Sequence, residues 1–98
     1  MATSEHAIET ANVEVYASPF CPYCHWARSL LDSKGVKYTL YDVTRDASLR
    51  TEMQNRSQRR TVPQIFINDQ SIGGFDELSA LDRAGQLSPL LAGAKQAN

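Results

Sequence analysis

The opening third of the chain constrains its fold most. Val13-Glu14-Val15-Tyr16-Ala17 alternates and is β-branched or aromatic, the pattern of a strand. Ser18-Pro19 breaks it, and from about Pro22 to Ser33 the period is helical, with Cys24, Ala27, Leu30 and Leu31 on one face. Gly35 suits the residue after a helix end, and Lys34 complements the negative end of the helix dipole. Val36 to Val43 then reads as a second strand. Two strands joined through a helix pair in parallel with a right-handed crossover.

The remainder extends this unit. Thr44 or Asp46 can cap a second helix over about Ala47 to Arg56. Gln64 to Ile67 is a third strand, Asn68-Asp69 a turn, and Gln70 to Ile72 a fourth strand paired back on the third. Gly73-Gly74 punctuates. Asp76 to Ala84 is a third helix with Leu78 and Leu81 inward and Gly85 at its end, and Leu87 to Leu91 adds a short helical turn. The expected order is β-α-β-α-β-β-α, an α/β fold with a mixed four-stranded sheet covered by helices. Residues 1–12 read as a flexible lead-in, in which Glu5 to Thr10 lacks an apolar face to anchor a helical turn. Residues 13–91 read as the domain and 92–98 as a flexible tail.

With 98 residues the chain suits one domain with one core. A net charge of −1 gives no basic excess to draw nucleic acid or an anionic membrane. No apolar run approaches the roughly 20 residues that span a bilayer. Met1 to Asn12 has neither the basic nor the apolar region of a secretory signal. The expected setting is cytoplasmic and reducing, where a permanent disulfide is disfavoured.

Within that frame, the only two cysteines stand three apart at the strand-helix junction, Cys21-Pro22-Tyr23-Cys24. Such a pair in a reducing compartment reads as a thiol-disulfide redox site. A sulfur at the start of a helix faces unpaired N–H groups and the positive dipole end, both of which stabilise a thiolate. Pro22 fits the first helical position because its missing N–H would go unused there. Cys24, one turn on and on the apolar face, is the more buried thiol. Cys21 is therefore expected to attack, and Cys24 to resolve the mixed disulfide. A structural zinc site needs four ligands, and beyond the cysteines only His6 and His25 could contribute histidines; no metal is expected. Cys21-x-x-Cys24-His25 also satisfies the c-type haem attachment pattern, which requires export and a helical surround. His25 reads as a surface or packing residue.

Three motifs carry a resemblance. Cys21-Pro22-Tyr23-Cys24, then Thr61-Val62-Pro63 opening a strand, then Gly73-Gly74-Phe75-Asp76 resemble the pattern of glutaredoxins. The likeness is to the dithiol class, most closely its small bacterial glutaredoxin-3 type, and runs from about Val13 to Leu91. The resemblance implies a thioredoxin fold and a glutathione-dependent oxidoreductase that reduces protein–glutathione mixed disulfides and protein disulfides. Glutathione is implied as co-substrate, with no tightly bound cofactor. It further implies that Pro63 is cis and that the Val62 backbone pairs with the glutathione cysteine. Thr61 belongs to the same motif, Gly73-Gly74 lets the backbone approach the ligand closely at the start of the third helix, Phe75 belongs to that motif, and Asp76 faces the ligand's ammonium group. Arg50 and Arg59 match positions that hold the glycine carboxylate, and Tyr23 flanks the ligand. Arg56, Arg59 and Arg60 form a local basic cluster.

The implied partners are glutathione and disulfide-bearing proteins, ribonucleotide reductase being a family-level example. Glutathione reductase acts indirectly, by recycling the oxidised form. A monomer is expected. The alternatives are a dimer bridging an iron-sulfur cluster, against which Pro22 argues, and a glutaredoxin-like protein reduced by thioredoxin reductase. One position departs from the family: its lysine three residues before the nucleophile is Ser18 here. A hydroxyl offers a hydrogen bond but no charge, so greater dependence on Arg50 and Arg59 is expected.

Overall fold

Strand β1 (Val13–Ala17) runs through the middle of the sheet. The computed structural model describes residues 11–92. Residues 1–10, with the segment Glu5 to Thr10 and His6, and residues 93–98 lie outside the described residues. After β1 come α1 (Pro22–Ser33), β2 (Thr39–Asp42), α2 (Ala47–Ser57), β3 (Gln64–Ile67), β4 (Gln70–Gly73), α3 (Phe75–Arg83) and α4 (Leu87–Leu91). The sheet order is β2-β1-β3-β4, with β1 parallel to β2 and antiparallel to β3, and β3 antiparallel to β4. The expected mixed four-stranded sheet is present.

Local chemistry accounts for the boundaries. Asp46, not Thr44, caps α2, its side chain accepting from Ser48 N–H at 2.9 Å. Gly35 follows α1 with φ +74°, a conformation that costs glycine little. Asn68 and Asp69 take φ of 53° and 67°, as a two-residue hairpin turn of the primed type needs. Strand β2 is shorter than the expected Val36 to Val43. Its pairing starts at Thr39 opposite Glu14, one residue inside β1, so the residues before it have almost no strand to pair with. Val36 and Tyr38 pack against the core instead, and Val43 leaves the ladder after one bond to the Ala17 carbonyl.

Alternation along the central strands divides the core. Val13, Val15, Ala17, Ile65 and Ile67 face α1, α3 and α4, meeting Cys24, Ala27, Leu31, Leu78, Leu87 and Leu91. Tyr16 and Phe66 face the other way, onto Met53 of α2 and Val43. Complete burial of a residue such as Leu31 contributes about 1.5–3 kcal/mol. Ala11 is buried and donates its N–H to Leu91 O at 3.0 Å, tying the entry of β1 to the end of α4. Layers on both faces hold the end of β1 rigidly, and the cysteine loop leaves from that end.

Candidate active site

Cys21 is the N-cap of α1. Its backbone is extended, and its sulfur accepts the Cys24 N–H at 3.2 Å. Pro22 occupies the start of the helix, so the sequence places a sulfur where a helix usually has a capping oxygen. The thiol of Cys21 also reaches the Val62 carbonyl at 3.7 Å. The loop before it is closed by local bonds. Ser18 Oγ accepts from Phe20 N–H at 3.2 Å, Ser18 O accepts from Cys21 N–H at 3.4 Å, and the His25 ring lies 3.1 Å from the Pro19 carbonyl. Ser18 thus serves the loop's own backbone and brings no charge to the site.

Cys24 lies one turn further on, 1% exposed against the core, while Cys21 is half-buried; both are free thiols. Burial, and after it the hydrogen bond with Cys21, push the Cys24 thiol well above the ordinary cysteine value. A backbone hydrogen bond from Ser18 and the charge of Arg28 work in the opposite direction. Arg28 follows Cys24 by four residues, on the same side of α1. Its Nε donates to Tyr38 OH at 3.3 Å, which holds the guanidinium against the sheet. At rest Cys24 is a protonated thiol beside a more exposed sulfur.

Facing the cysteines is the loop Thr61-Val62-Pro63, with the Val62–Pro63 bond cis, as expected. Gln64, completely buried, fastens it: Nε2 donates to Thr61 O at 3.0 Å and to Thr61 Oγ1 at 3.2 Å. Beyond the loop, Gly74 begins α3. A Cβ on Gly74 would come within 3.3 Å of the Pro63 carbonyl, so the two segments meet at a distance that suits glycine.

Between these segments lies an open cleft of about 260 Å³. It is lined by Tyr23, Arg59, Thr61, Val62, Pro63, Gly74, Phe75, Asp76 and Glu77. Eight of those nine residues were singled out from the sequence. Arg50 was singled out too, but it is not in the wall; it donates to the Arg60 carbonyl at 3.3 Å. Arg56 separates from the expected basic cluster. It turns onto the sheet, where it pairs with Glu14 at 2.9 Å, and away from the cleft. Exposed Tyr23 and Trp26 and half-buried Phe75 form an aromatic rim, with ring centres 5.1 to 6.3 Å apart. Among the described residues, no three His, Cys, Asp or Glu side chains gather as a metal site.

The family model described as Glutaredoxin matches residues 13–72. The chain belongs to the glutaredoxin family. Glutaredoxin 3 of Escherichia coli is 56% identical over 81 residues, covering 83% of this chain and 98% of that one. Among solved structures, the glutaredoxin of Brucella melitensis is 45% identical with a TM-score of 0.73, covering 86% of this chain and 92% of that one. A buckwheat glutaredoxin solved as a complex with glutathione is 28% identical with a TM-score of 0.78, covering 86% and 81%. The thioredoxin fold expected from the resemblance is the fold observed, shared with these glutaredoxins. As a glutaredoxin the chain is a thiol-disulfide oxidoreductase.

One residue of this glutaredoxin's cleft wall, Glu77, and two beside the cleft, Gln64 and Trp26, do not stand out in the sequence. Glu77 accepts the Gly74 N–H at 2.8 Å and the Arg59 guanidinium at 3.3 Å. It stands three residues after Gly74, the spacing of a capping box, and that signal was legible. Gln64 follows the motif proline in a strand and looks like a strand residue. Trp26 gave no signal, because its approach to Phe75 depends on how α1 and α3 pack.

Proposed function

We propose that this chain reduces protein–glutathione mixed disulfides and protein disulfides at Cys21, with reduced glutathione as the electron source. The observation that carries the reading is the position of Cys21. Its sulfur is the helix cap, bonded by the Cys24 N–H and in contact with the carbonyl of Val62, a residue of the cleft wall. Glutathione is a peptide with a thiol between two carboxylate-bearing ends. The cleft offers matching groups: the Val62 backbone beside the sulfur, the α3 N-terminus with Asp76, and the Arg59 guanidinium. The buckwheat relative's complex with glutathione supports the same ligand.

The Cys21 thiolate attacks the glutathione sulfur of a mixed disulfide. The protein sulfur leaves as a thiolate and takes a proton from water, while the glutathione sulfur stays bonded to Cys21. A second glutathione thiolate attacks that sulfur, releasing oxidised glutathione and restoring Cys21. With a protein disulfide, Cys21 takes one partner sulfur and the other leaves. Cys24 then loses its proton and attacks Cys21. The Cys21–Cys24 bond forms, the reduced partner departs, and two glutathiones later reopen the disulfide. Burial keeps Cys24 a thiol in the resting site. Once Cys21 is in a disulfide it carries no charge, which removes one of the causes that keep Cys24 protonated. The reaction draws on a pool of reduced glutathione, so we assign it to the cytoplasm.

The test is a coupled assay with a glutathionylated peptide, glutathione, glutathione reductase and NADPH. NADPH oxidation should depend on both the chain and glutathione. Turnover that instead requires thioredoxin reductase would reject glutathione as the reductant.

A further inference from the structure

We propose that Glu77 sets the affinity of the cleft for carboxylate ligands by occupying Arg59, so that a ligand carboxylate must displace or share this internal one. The proposal rests on the glutathione reading above and adds to it a residue that limits binding. Glu77 Oε1 accepts the Gly74 N–H at 2.8 Å, and Oε2 accepts from Arg59 Nη2 at 3.3 Å. The pair closes over Gly73. A Cβ there would meet Arg59 Nη1 at 2.7 Å and Glu77 Oε1 at 2.8 Å, so the ion pair fills the space a side chain would take. Both residues line the cleft. The Gly74 N–H, against the cost of burial and with help from the Arg59 hydrogen bond, holds the Glu77 carboxyl below its ordinary range, so it is charged at neutral pH. Arg59 is the only cation in the cleft wall among the described residues, and Arg50 is engaged with the Arg60 carbonyl. An anion entering here meets a cation that is already partnered and a second carboxylate beside it. Both side chains are 46% exposed, so the pair is weak enough to exchange.

The geometry separates the two jobs of Glu77. In Glu77→Gln the side-chain oxygen can still accept the Gly74 N–H, so the start of α3 keeps its cap, while the charge that holds Arg59 is gone. Binding of S-methylglutathione, and of its analogue with the glycine carboxylate converted to amide, is titrated by Trp26 fluorescence at low and high salt. Expected is tighter binding of S-methylglutathione to Glu77→Gln, by about threefold at low salt, the range of an exposed pair. The gain should shrink at high salt and be absent for the amide. Arg59→Gln should weaken binding and abolish the gain from Glu77→Gln. Unchanged or weaker binding to Glu77→Gln, or an equal gain for the amide, overturns the role of Glu77 while leaving the glutathione reading intact. If the wild type binds neither ligand, both fall together.

Discussion

The guanidinium carbon of Arg56 lies 4.0 Å from the centre of the Phe66 ring, on the sheet face opposite Cys24. The same guanidinium donates to Glu14 Oε1 at 2.9 Å and to Tyr16 OH at 2.7 Å, and Tyr16 OH in turn donates to Glu52. Helix α2 is held by this network together with its apolar side chains, of which Met53 is fully buried and Leu49 packs beside it.

Arg56→Ala should therefore destabilise the fold by about 2 kcal/mol, since it strands a half-buried carboxylate and uncovers Phe66. In a chain of this length that is a fall of roughly 10 °C in Tm. The double variant Glu14→Leu/Arg56→Met should lose less than the two single variants combined, because neither charge is left alone. Thermal unfolding of the wild type, Glu14→Leu, Arg56→Met and the double variant measures this. A strictly additive result would mean that the pair contributes no coupling.

Stability should also depend on acid through Glu14. The Arg56 hydrogen bond, against the cost of burial and with help from Tyr41, holds the Glu14 carboxyl below its ordinary value in the folded state. A lowered folded value means stability that is present above the unfolded carboxyl value and lost as pH falls through the folded one. Urea midpoints measured from about pH 6 down to about pH 2 should fall more steeply for the wild type than for Glu14→Gln. Parallel curves would remove Glu14 from the acid response.

Arg28 provides a test confined to the second cysteine. Its charge opposes the burial that keeps Cys24 protonated. Arg28→Gln should slow protein-disulfide reduction by about two- to fivefold, the range of a partly exposed charge. Turnover of a glutathionylated peptide, which does not need Cys24, should be unchanged. Steady-state rates with the two substrates decide it, and equal slowing of both would show that Arg28 acts on something other than Cys24.

The sequence made the cysteine end of the molecule legible because its determinants are local. Pro22 at the helix start, the sulfur at the cap and the primed turn at Asn68-Asp69 are each fixed by a few adjacent residues. The cleft was legible through three short motifs that turn out to share a wall. The far face was not. Glu14 and Arg56 are 42 positions apart, and nothing near either residue names its partner. Arg56 therefore read as one member of a basic cluster with Arg59 and Arg60. Glu77 is half legible: its spacing from Gly74 marks a cap, but an acidic residue in a first helical turn looks the same whether it faces water or a cation. Strand β2 was drawn too long because Val36 and Tyr38 have strand chemistry, and only the register with β1 shows where the ladder begins.

The most direct test compares Cys21→Ser and Cys24→Ser in the glutathione-coupled assay, on a glutathionylated peptide and on a protein disulfide. Cys21, half-buried at the helix cap, is assigned the attack, and Cys24, 1% exposed beneath it, the resolution. Cys21→Ser should have no turnover with either substrate. Cys24→Ser should keep most of its turnover with the peptide and lose most of it with the protein disulfide. Substantial peptide turnover by Cys21→Ser, or its loss in Cys24→Ser, would contradict the assignment.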